Sequence, residues 1–323
     1  MDKVEVNNQA LVSTELLARL ERSIQSVIRG KDEVIQLALV ALFARGHLLI
    51  EDVPGVGKTT LAHSLARSFN CQFHRIQFTS DMLPSDVVGV SIFSQQTQRF
   101  EFRPGPIFAN IVLADEINRT TPKTQSALLE AMNEYQVTID NRTYPLPQPF
   151  MVVSTQNPIE HHGTYPLPES QLDRFLMRLR MGYPNAESEK EIVRNFAVTE
   201  PLAKIEAVMA AEEVAEIQQA VRRVTVDDEL VNYTLAIVEK TRQHENLSLG
   251  VSPRGSMSLF RAAQALALVQ GRPYSIPDDF KRLVIPVFAH RCVVSSRYVS
   301  TLKKTDQAEA ILQEILESTP VPL

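Results

Sequence analysis

The sequence predicts an α/β protein with a parallel β-sheet, followed by an all-α domain. In the first half of the chain, short apolar runs alternate with helical patterns, which is the arrangement of βαβ units. Residues 48–50 and 111–113 are apolar without interruption, as expected for strands that are covered on both faces. Beyond residue 184 the strand patterns end and helical patterns continue. These three observations indicate a sheet domain followed by a helical one.

The predicted strands of the sheet are short and apolar. They cover residues 47–51, 73–78, 111–114, 150–155 and 175–179. Helical patterns separate them, most clearly at residues 59–68 and 122–135. Residues 90–102 and 135–146 interrupt this rhythm with alternating apolar residues around a polar turn. We predict a β-hairpin at each of these two insertions, with a plain surface loop as the alternative.

The second half of the chain contains five helical patterns. They cover residues 187–196, 212–221, 228–244, 254–269 and 278–290. We place the boundary between the domains near Pro184, where the strand patterns end. The prediction is therefore an α/β domain at residues 1–184 that carries two hairpin inserts, and a helical domain at residues 185–323.

Composition narrows the class of function. The chain has 323 residues, of which 44% are hydrophobic and 22% are charged, as in ordinary soluble proteins. The net charge of −5 weighs against permanent nucleic-acid binding, which relies on a basic surface. The start of the chain lacks the regions of a secretory signal, the early apolar stretch is too polar for a membrane span, and only two cysteines occur. We therefore expect a cytoplasmic protein.

The strongest chemical signal is a glycine-rich loop between the first predicted strand and the helix that follows. The loop consists of Asp52, Val53, Pro54, Gly55, Val56, Gly57, Lys58, Thr59 and Thr60. Its glycines let backbone N–H groups surround phosphate oxygens, and the helix adds its positive dipole end. Lys58 supplies charge to the β- and γ-phosphates, and the hydroxyl of Thr59 can bind Mg²⁺. The loop predicts nucleotide binding, with a glycine-rich turn as the alternative.

One residue of this loop departs from the usual phosphate-loop pattern. The first position of that pattern is glycine, and here it is Asp52. A carboxylate near the phosphates would repel them because both groups are negative. We therefore expect the side chain of Asp52 to point away from the nucleotide.

Two acidic residues follow another apolar strand. In a nucleotide-binding sheet, Asp115 would lie beside the phosphate loop and could hold Mg²⁺. Glu116, one residue further, could take a proton from an attacking water. The alternative is that both acids cap the next helix. Asn157 follows the next strand and could orient the same water, unless the Asn-Pro pair is an ordinary turn.

Together these motifs resemble those of the MoxR family of AAA+ ATPases. The resemblance rests on residues 55–59, 102–108, 113–119, 155–158, 171–175 and 251–255. It extends over nearly the whole chain, and this order of motifs is highly specific. It implies a wedge-shaped AAA+ P-loop domain that binds ATP with Mg²⁺, followed by a helical lid. It also implies a homo-oligomeric ring, often a hexamer, with chaperone-like activity and partners that carry a von Willebrand factor A domain.

The resemblance assigns roles to residues of the predicted nucleotide site. Lys58 and Thr59 match the Walker A motif, and Asp115 and Glu116 match the Walker B motif. Asn157 matches the sensor 1 position.

A segment before the first strand resembles the one that touches adenine in this family. It includes Val27 and Ile28. The next residues, Arg29-Gly30-Lys31, depart from the Gly-Gln that the family often has there.

Arg174 matches the arginine finger of the family. It lies just before the last predicted strand, at an edge that cannot easily turn back to the loop of its own chain. A γ-phosphate that it reaches would therefore belong to a neighbouring subunit, where such a residue can raise the rate about 10³–10⁵-fold. Arg178 is a nearby competitor for this role. The alternative for Arg174 is a surface ion pair with Asp173 or another acid.

Arg254 matches the sensor 2 position. Ser252 has the character of an N-cap and Pro253 that of a first helical residue, so Arg254 falls in the first turn of a helix. A cation there faces the positive end of the helix dipole, which is unfavourable by about 0.3–1 kcal/mol. A bound phosphate would reverse that sign. The alternative is an exposed surface arginine.

The sequence therefore predicts a Mg²⁺-dependent ATPase that assembles as a ring of identical subunits and remodels another protein. One alternative is a nucleotide-switched assembly module, in which hydrolysis only resets binding. Another is a chelatase-like motor subunit that inserts a metal into a cofactor. A DNA-directed AAA+ motor is disfavoured by the net charge and by the lack of an appended DNA-binding motif.

Overall fold

The computed structural model describes residues 15–157, 163–196, 202, 205–296 and 304–322. Its strands in chain order are β1 (Leu48–Glu51), β2 (Phe73–Gln77), β3 (Gly89–Ser94), β4 (Arg99–Pro104), β5 (Ile111–Asp115), β6 (Gln136–Ile139), β7 (Arg142–Pro145), β8 (Met151–Gln156), β9 (Met177–Leu179), β10 (Leu247–Leu249) and β11 (Val293–Val294).

The helices of the first half are α1 (residues 15–25), α2 (Asp32–Phe43), α3 (Lys58–Ser68), α4 (Pro84–Val88), α5 (Pro122–Glu134) and α6 (Glu169–Leu172). Those of the second half are α7 (Ala186–Phe196), α8 (Ala211–Val221), α9 (Asp228–Gln243), α10 (Pro253–Val269), α11 (Pro277–Phe288) and α12 (Lys304–Glu317). Short 3₁₀ turns cover Ile117–Arg119 and Ala289–Arg291. Among the described residues, no helix combines the length and apolar character needed to cross a membrane.

Five strands form one parallel sheet with the order β2-β5-β8-β1-β9. The register places Ile50 opposite Thr155, and Gln77 opposite Asp115. Apolar strand interiors are thus followed by polar side chains at one edge of the sheet, where the carboxyl ends of the strands lie. The five predicted strands are confirmed, with small shifts at their ends.

Separate apolar cores cover the two faces of the sheet. Leu48 and Ile50 belong to the core that includes α2, α3 and the helical second half, whereas Leu49 between them belongs to the core with α5. This alternation on a fully buried strand explains the uninterrupted apolar run in the sequence. The helix α2 packs against α8 and α10, and β9 packs against α11, so the second half contacts the first through both elements.

Both predicted hairpins are confirmed. The strands β3 and β4 pair antiparallel, with Ile92 opposite Glu101, and β6 pairs with β7 in the same way. The tip of the first hairpin exposes apolar surface, because Phe93 is 50% exposed and Phe100 is 68% exposed. These two aromatic rings lie 5.4 Å apart between centroids.

The helical second half contains all five predicted helices, as α7 to α11, of which α9 and α11 end one and two residues earlier than predicted. Residues 289 and 290, predicted as helix, belong to the 3₁₀ turn after α11. The prediction that no strand follows residue 184 is wrong, since β10 and β11 pair antiparallel. These strands have only three and two residues, too few for a periodic pattern. The helix α12 was not predicted at all.

Candidate nucleotide-binding site

A cavity of about 380 Å³ opens where the carboxyl ends of β1, β5 and β8 meet. It is lined by Pro54, Gly55, Gly57, Lys58, Thr59, Thr60, Arg75, Gln77, Asp115, Glu116 and Asn157. The glycine-rich loop, the two acids and Asn157 therefore come together, because the carboxyl ends of parallel strands share one edge of the sheet. Three residues of the loop do not line the cavity, namely Asp52, Val53 and Val56, and Val56 packs against the apolar core.

The backbone of the loop has the conformation that glycine permits. Gly55 has a φ of 84° and Gly57 a φ of 95°, both in the left-handed region. Gly57 is the N-cap of α3, so this helix begins at Lys58. The Nζ of Lys58 donates to the carbonyl oxygen of Asp52 at 2.8 Å. Burial lowers the pKa of the Lys58 ammonium, and the carboxylate of Asp115 opposes that shift.

The carboxylate of Asp52 is directed away from the cavity. Its Oδ1 accepts a hydrogen bond from the amide of Val53 at 2.8 Å, and its Oδ2 accepts one from the amide of Gly182 at 2.5 Å. Asp52 does not line the cavity, as expected for an acid at the first position of this loop. Both carboxylate oxygens are instead occupied by backbone donors.

Asp115 is held from two sides at the end of β5. The hydroxyl of Thr155 donates to its Oδ1 at 2.6 Å, and Arg75 donates to its Oδ2 through Nη2 at 2.6 Å. The oxygen of the same hydroxyl accepts a hydrogen bond from the amide of Glu116 at 2.9 Å. One threonine on β8 therefore fixes the positions of both acids.

Glu116 turns its side chain toward the strand β2. Its backbone is left-handed, with a φ of 58°, and its Oε2 accepts a hydrogen bond from Gln77 at 2.7 Å. The Nε of Arg119 lies 3.2 Å from the same oxygen. The carboxylate makes no capping hydrogen bond to the 3₁₀ turn that follows, and the N-cap of α5 is Thr121. This geometry does not support the alternative in which Glu116 caps a helix.

Two cavity residues, Arg75 and Gln77, were not predicted. Both lie on β2, beside β5, and Arg75 Nη2 also donates to Gln77 Oε1 at 2.8 Å. The buried Ile76 between them shows that the strand alternates between the core and the cavity. This alternation of polar and apolar residues on a strand of the sheet was the signal that could have revealed them.

The two residues predicted to hold Mg²⁺, Thr59 and Asp115, both line the cavity. A hydroxyl and a carboxylate are hard oxygen donors, which Mg²⁺ uses together with water and substrate phosphates. In the described ranges, no group of three or more His, Cys, Asp or Glu could form a metal cage made of protein alone. The donor set therefore fits a Mg²⁺ that binds together with a nucleotide. The Oδ2 of Asp115 would first have to leave Arg75.

The segment predicted to contact adenine lies outside this cavity. Ile28 is buried in the apolar core, and Val27 is half-buried. Arg29 forms an ion pair with Glu191 at 3.8 Å, and Lys31 Nζ donates to the carbonyl oxygen of Tyr183 at 2.8 Å. The segment therefore packs against the start of the helical half.

Arg174 lies at the opposite end of the sheet from Lys58. The amide of Leu176 donates to the carbonyl oxygen of His47 at 2.9 Å, which sets the start of β9 level with the start of β1. The glycine-rich loop, in contrast, follows the end of β1. The Nη1 of Arg174 donates to the carbonyl oxygen of Leu129 at 2.8 Å. No ion pair joins Arg174 to Asp173 in the described part of the chain, where Asp173 binds another arginine.

Arg254 lies next to Arg174 rather than beside the phosphate loop. Both line a depression of about 210 Å³ together with Arg45 and Arg261. We call these four residues the arginine surface. The local prediction for Arg254 is confirmed, because Ser252 is the N-cap of α10 and Pro253 its first residue. Its side chain is exposed in the first turn.

Arg178, the competitor of Arg174, is in a different environment. Its side chain is only 5% exposed and points into the fold from β9. It forms ion pairs with Glu51 at 3.2 Å and Glu309 at 2.7 Å. To reach a neighbouring subunit, Arg178 would have to break both pairs and leave its buried position.

The parallel sheet of this strand order, with a phosphate loop after β1, paired acids after β5 and a helical domain behind, defines a P-loop ATPase of the AAA+ class. Comparison with known proteins agrees. Residues 47–177 match the model of the ATPase family associated with various cellular activities, and residues 239–315 match the AAA lid domain.

Individual relatives are similar over nearly the full chain. Chaperone MoxR1 of Mycobacterium tuberculosis is 41% identical, over 94% of this chain and 82% of its own. The uncharacterized protein YeaC of Bacillus subtilis is 51% identical, over 95% of each chain. A crystal structure from Cytophaga hutchinsonii, described provisionally as an ATPase, superposes with a TM-score of 0.92 at 35% identity and covers 100% of both chains. The chain belongs to the MoxR family of AAA+ ATPases.

Proposed function

We propose that this protein hydrolyses ATP with Mg²⁺ in the cavity around Lys58. The observation that carries the proposal is the meeting of four groups in that cavity: the ammonium of Lys58, the hydroxyl of Thr59 and the carboxylates of Asp115 and Glu116. Each group has a separate task in phosphoryl transfer. They come from two places in the sequence, residues 58–59 and 115–116, which the parallel sheet brings together.

The proposed binding step uses the glycine-rich loop. Backbone N–H groups at Gly55 and Gly57, together with the ammonium of Lys58, bind the phosphates and compensate their charge. Thr59 and Asp115 hold Mg²⁺, whose contribution is to neutralise further charge on the β- and γ-phosphates. Arg75 must then release the Oδ2 of Asp115, and its guanidinium stays near the phosphates because it lines the same cavity.

The proposed chemical step is the attack of water on the γ-phosphate: the new P–O bond forms as the bond from the γ-phosphorus to the β-phosphate oxygen breaks, and ADP leaves with that electron pair. Glu116 takes the proton of that water, for which its carboxylate must turn away from Gln77. Asn157, which is 7% exposed at the end of β8, orients the water from the opposite side. Positioning and charge compensation thus provide most of the catalysis.

We further propose that the site is completed by a neighbouring subunit in a closed ring, a hexamer by family resemblance. The support is the placement of Arg174 and Arg254 at the opposite end of the sheet from the loop. Neither can contact the phosphates of its own chain there, but a neighbour whose cavity faces the arginine surface would receive both. A head-to-tail contact of this kind closes into a ring when its rotation allows.

Mixed subunits test this shared site. Glu116→Gln and Arg174→Ala should each bind ATP without hydrolysing it. In a random equal mixture, about a quarter of the interfaces combine an intact Glu116 with an intact Arg174, so part of the hydrolysis returns. The exposed Arg223→Ala should keep wild-type hydrolysis as a matched control. Mixtures that stay inactive while the wild type is active would exclude catalysis between subunits.

The work done with ATP is proposed to be the remodelling of a protein partner, one with a von Willebrand factor A domain by family resemblance. The exposed apolar tip of the β3–β4 hairpin supports a protein client, since exposed apolar clusters mark protein–protein contacts. The relative named Chaperone MoxR1 points the same way.

Affinity capture tests this part. Glu116→Gln held in ATP should retain its client, which mass spectrometry identifies. The doubly changed Phe93→Ser/Phe100→Ser chain in the same background should lose it. Recovery of nucleic acid in place of a protein would instead favour a DNA-directed motor.

A further inference from the structure

Arg291 is a buried arginine that joins the helical half to the segment around Arg174. Its side chain is 2% exposed, and it follows α11 in a 3₁₀ turn. Its Nε donates to Asp173 Oδ1 at 2.8 Å, and its Nη2 donates to the carbonyl oxygen of Phe175 at 2.6 Å. Its Nη1 donates to the carbonyl oxygen of Leu176 at 3.2 Å. These contacts fix the backbone on both sides of Arg174.

The carboxylate of Asp173 makes a second connection, to the helix that carries Arg254. The hydroxyl of Ser252, the N-cap of α10, lies 3.1 Å from Asp173 Oδ2 and 3.2 Å from Oδ1. The oxygen of the same hydroxyl accepts a hydrogen bond from the amide of Gly255 at 3.2 Å. Asp173 thus contacts Ser252, which lies two residues before Arg254. Asp173 is also the residue directly before Arg174 in the chain. Through these neighbours, Asp173 is linked to two of the four residues of the arginine surface, Arg174 and Arg254.

The side chain of Arg174 depends on this support. Its Nη1 donates to the carbonyl oxygen of Leu129, and its buried Nε has no hydrogen-bond partner among the described residues. The position of its guanidinium is therefore set mainly by where its backbone is held. Arg291 provides that hold with a rigid planar group whose donors all point to fixed acceptors.

We propose that the Asp173–Arg291 ion pair is the positioning device for the two arginines that act on a neighbouring subunit's nucleotide. It holds Arg174 and Arg254 in one fixed arrangement. Arg291 and Asp173 are positioning residues and do not themselves contact the nucleotide. The inference rests on the proposed shared site and adds the residues that arrange its second half.

Close packing at Gly255 makes a second, charge-neutral test possible. A Cβ at this position would lie 3.0 Å from Cδ of Arg291 and 2.5 Å from a methyl group of Val251. Gly255→Ala should therefore displace Arg291 while it keeps every charged group. Alanine also favours a helix over glycine, so the helix itself is not weakened by the change.

The experiment compares Arg291→Lys, Asp173→Asn and Gly255→Ala, each alone and in equal mixtures. Each should bind a fluorescent ATP analogue as the wild type does, and its hydrolysis should fall at least about tenfold, as for other changes to residues that orient a functional side chain. Mixed with Glu116→Gln, which has intact arginines, each should regain hydrolysis. Mixed with Arg174→Ala, none should, because both partners then lack a competent arginine.

A purely structural role gives different results. A loss of hydrolysis that Glu116→Gln subunits do not restore, or hydrolysis within about twofold of the wild type in all three variants, overturns the proposal. If Arg291→Lys does not fold, Asp173→Asn and Gly255→Ala decide by the same criteria. The reference mixture of Glu116→Gln with Arg174→Ala separates a failure of the positioning role from a failure of the shared site. If it is active and the others are not, only the positioning role is wrong; if it is inactive, the shared site is wrong and this role with it.

Discussion

The carboxylate of Asp52 accepts a hydrogen bond from the amide of Gly182, with 2.5 Å between Oδ2 and the nitrogen. Asp52 begins the phosphate loop after β1, and Gly182 follows β9 where the chain leaves the sheet. The bond therefore ties the loop to the connection that leads into the helical half. This gives a physical reason for an acid at a position where phosphate loops have glycine: here the side chain has a structural partner behind the loop.

Replacing Asp52 by the usual glycine should separate stability from binding. Asp52→Gly removes a charged acceptor from two backbone amides, so the free energy of unfolding should fall by about 1.5–3 kcal/mol. ATP binding should persist, since Asp52 does not line the cavity. Urea unfolding and nucleotide titration measure the two quantities, with Glu314→Ala on the exposed side of α12 as control. A strong loss of ATP affinity at unchanged stability would contradict this role.

Thr155 should matter for hydrolysis although it cannot touch the nucleotide directly. Its hydroxyl donates to Asp115 and accepts a hydrogen bond from the amide of Glu116, so Thr155→Val removes one support of Asp115 and the hydrogen-bond partner of that amide. We expect kcat to fall about 10–100-fold, as for other residues that orient metal ligands. Thr155→Ser keeps the hydroxyl and is the matched control, expected to stay near wild type. Equal activity of the valine and serine variants would show that the hydroxyl is not needed.

Arg178 should behave as a structural residue. Arg178→Met leaves Glu51 and Glu309 without their buried partner, which should lower the free energy of unfolding by about 3 kcal/mol. Arg174→Ala, which loses one hydrogen bond to a carbonyl oxygen, should cost about 1 kcal/mol. Chemical unfolding of both variants tests the contrast. Recovery of hydrolysis in a mixture of Arg178→Met with Glu116→Gln, without loss of stability, would instead make Arg178 the finger.

A buried histidine makes stability depend on pH. Burial lowers the pKa of His47 to about 4, so the ring stays neutral. Its Nδ1 accepts a hydrogen bond from the amide of Val152 at 3.0 Å, and its Nε2 lies 3.0 Å from the carbonyl oxygen of Met132. The unfolded chain takes up this proton near pH 6.5, well before the folded one does. Stability is therefore complete above about pH 6.5 and falls as the pH decreases toward 4.

The expected loss from His47 alone is about 2 kcal/mol between pH 7 and pH 5. Burial and the charge of Arg291 also lower the pKa of His290 well below its usual value, which adds to the effect in the same direction. Urea unfolding at several pH values should show the loss, and His47→Gln should make the dependence shallower by that amount. An unchanged slope in the variant would assign the pH dependence to other groups.

Much of the fold was predictable because its signals are local. The apolar runs of β1 and β5, the glycines of the loop and the Ser252-Pro253 start of α10 each lie within a few residues of one another. The parallel sheet then brings the ends of the strands together without further information. That is why the loop, Asp115, Glu116 and Asn157 could be placed in one cavity from the sequence.

The features that were not predicted are of two kinds: contacts between residues far apart in the chain, and short local patterns on β2 and α12. Nothing local relates Arg291 to Asp173, which is 118 residues away in the chain. Arg75 and Gln77 alternate with a buried Ile76, a local pattern that predicts a strand and also places these two polar side chains on its cavity side. The helix α12 also carries a helical apolar pattern, with Ala308, Ile311, Leu312 and Ile315 buried.

The most direct test of this account is equilibrium binding of ATP with Mg²⁺ to the wild type and to Lys58→Met. We expect the wild type to bind and Lys58→Met to bind at least about tenfold more weakly, because a charge-assisted contact to phosphate is lost. The control Lys123→Met, at an exposed lysine of α5, should bind as the wild type does. A wild type without affinity for Mg-ATP, or a Lys58→Met variant with unchanged affinity, would contradict the account.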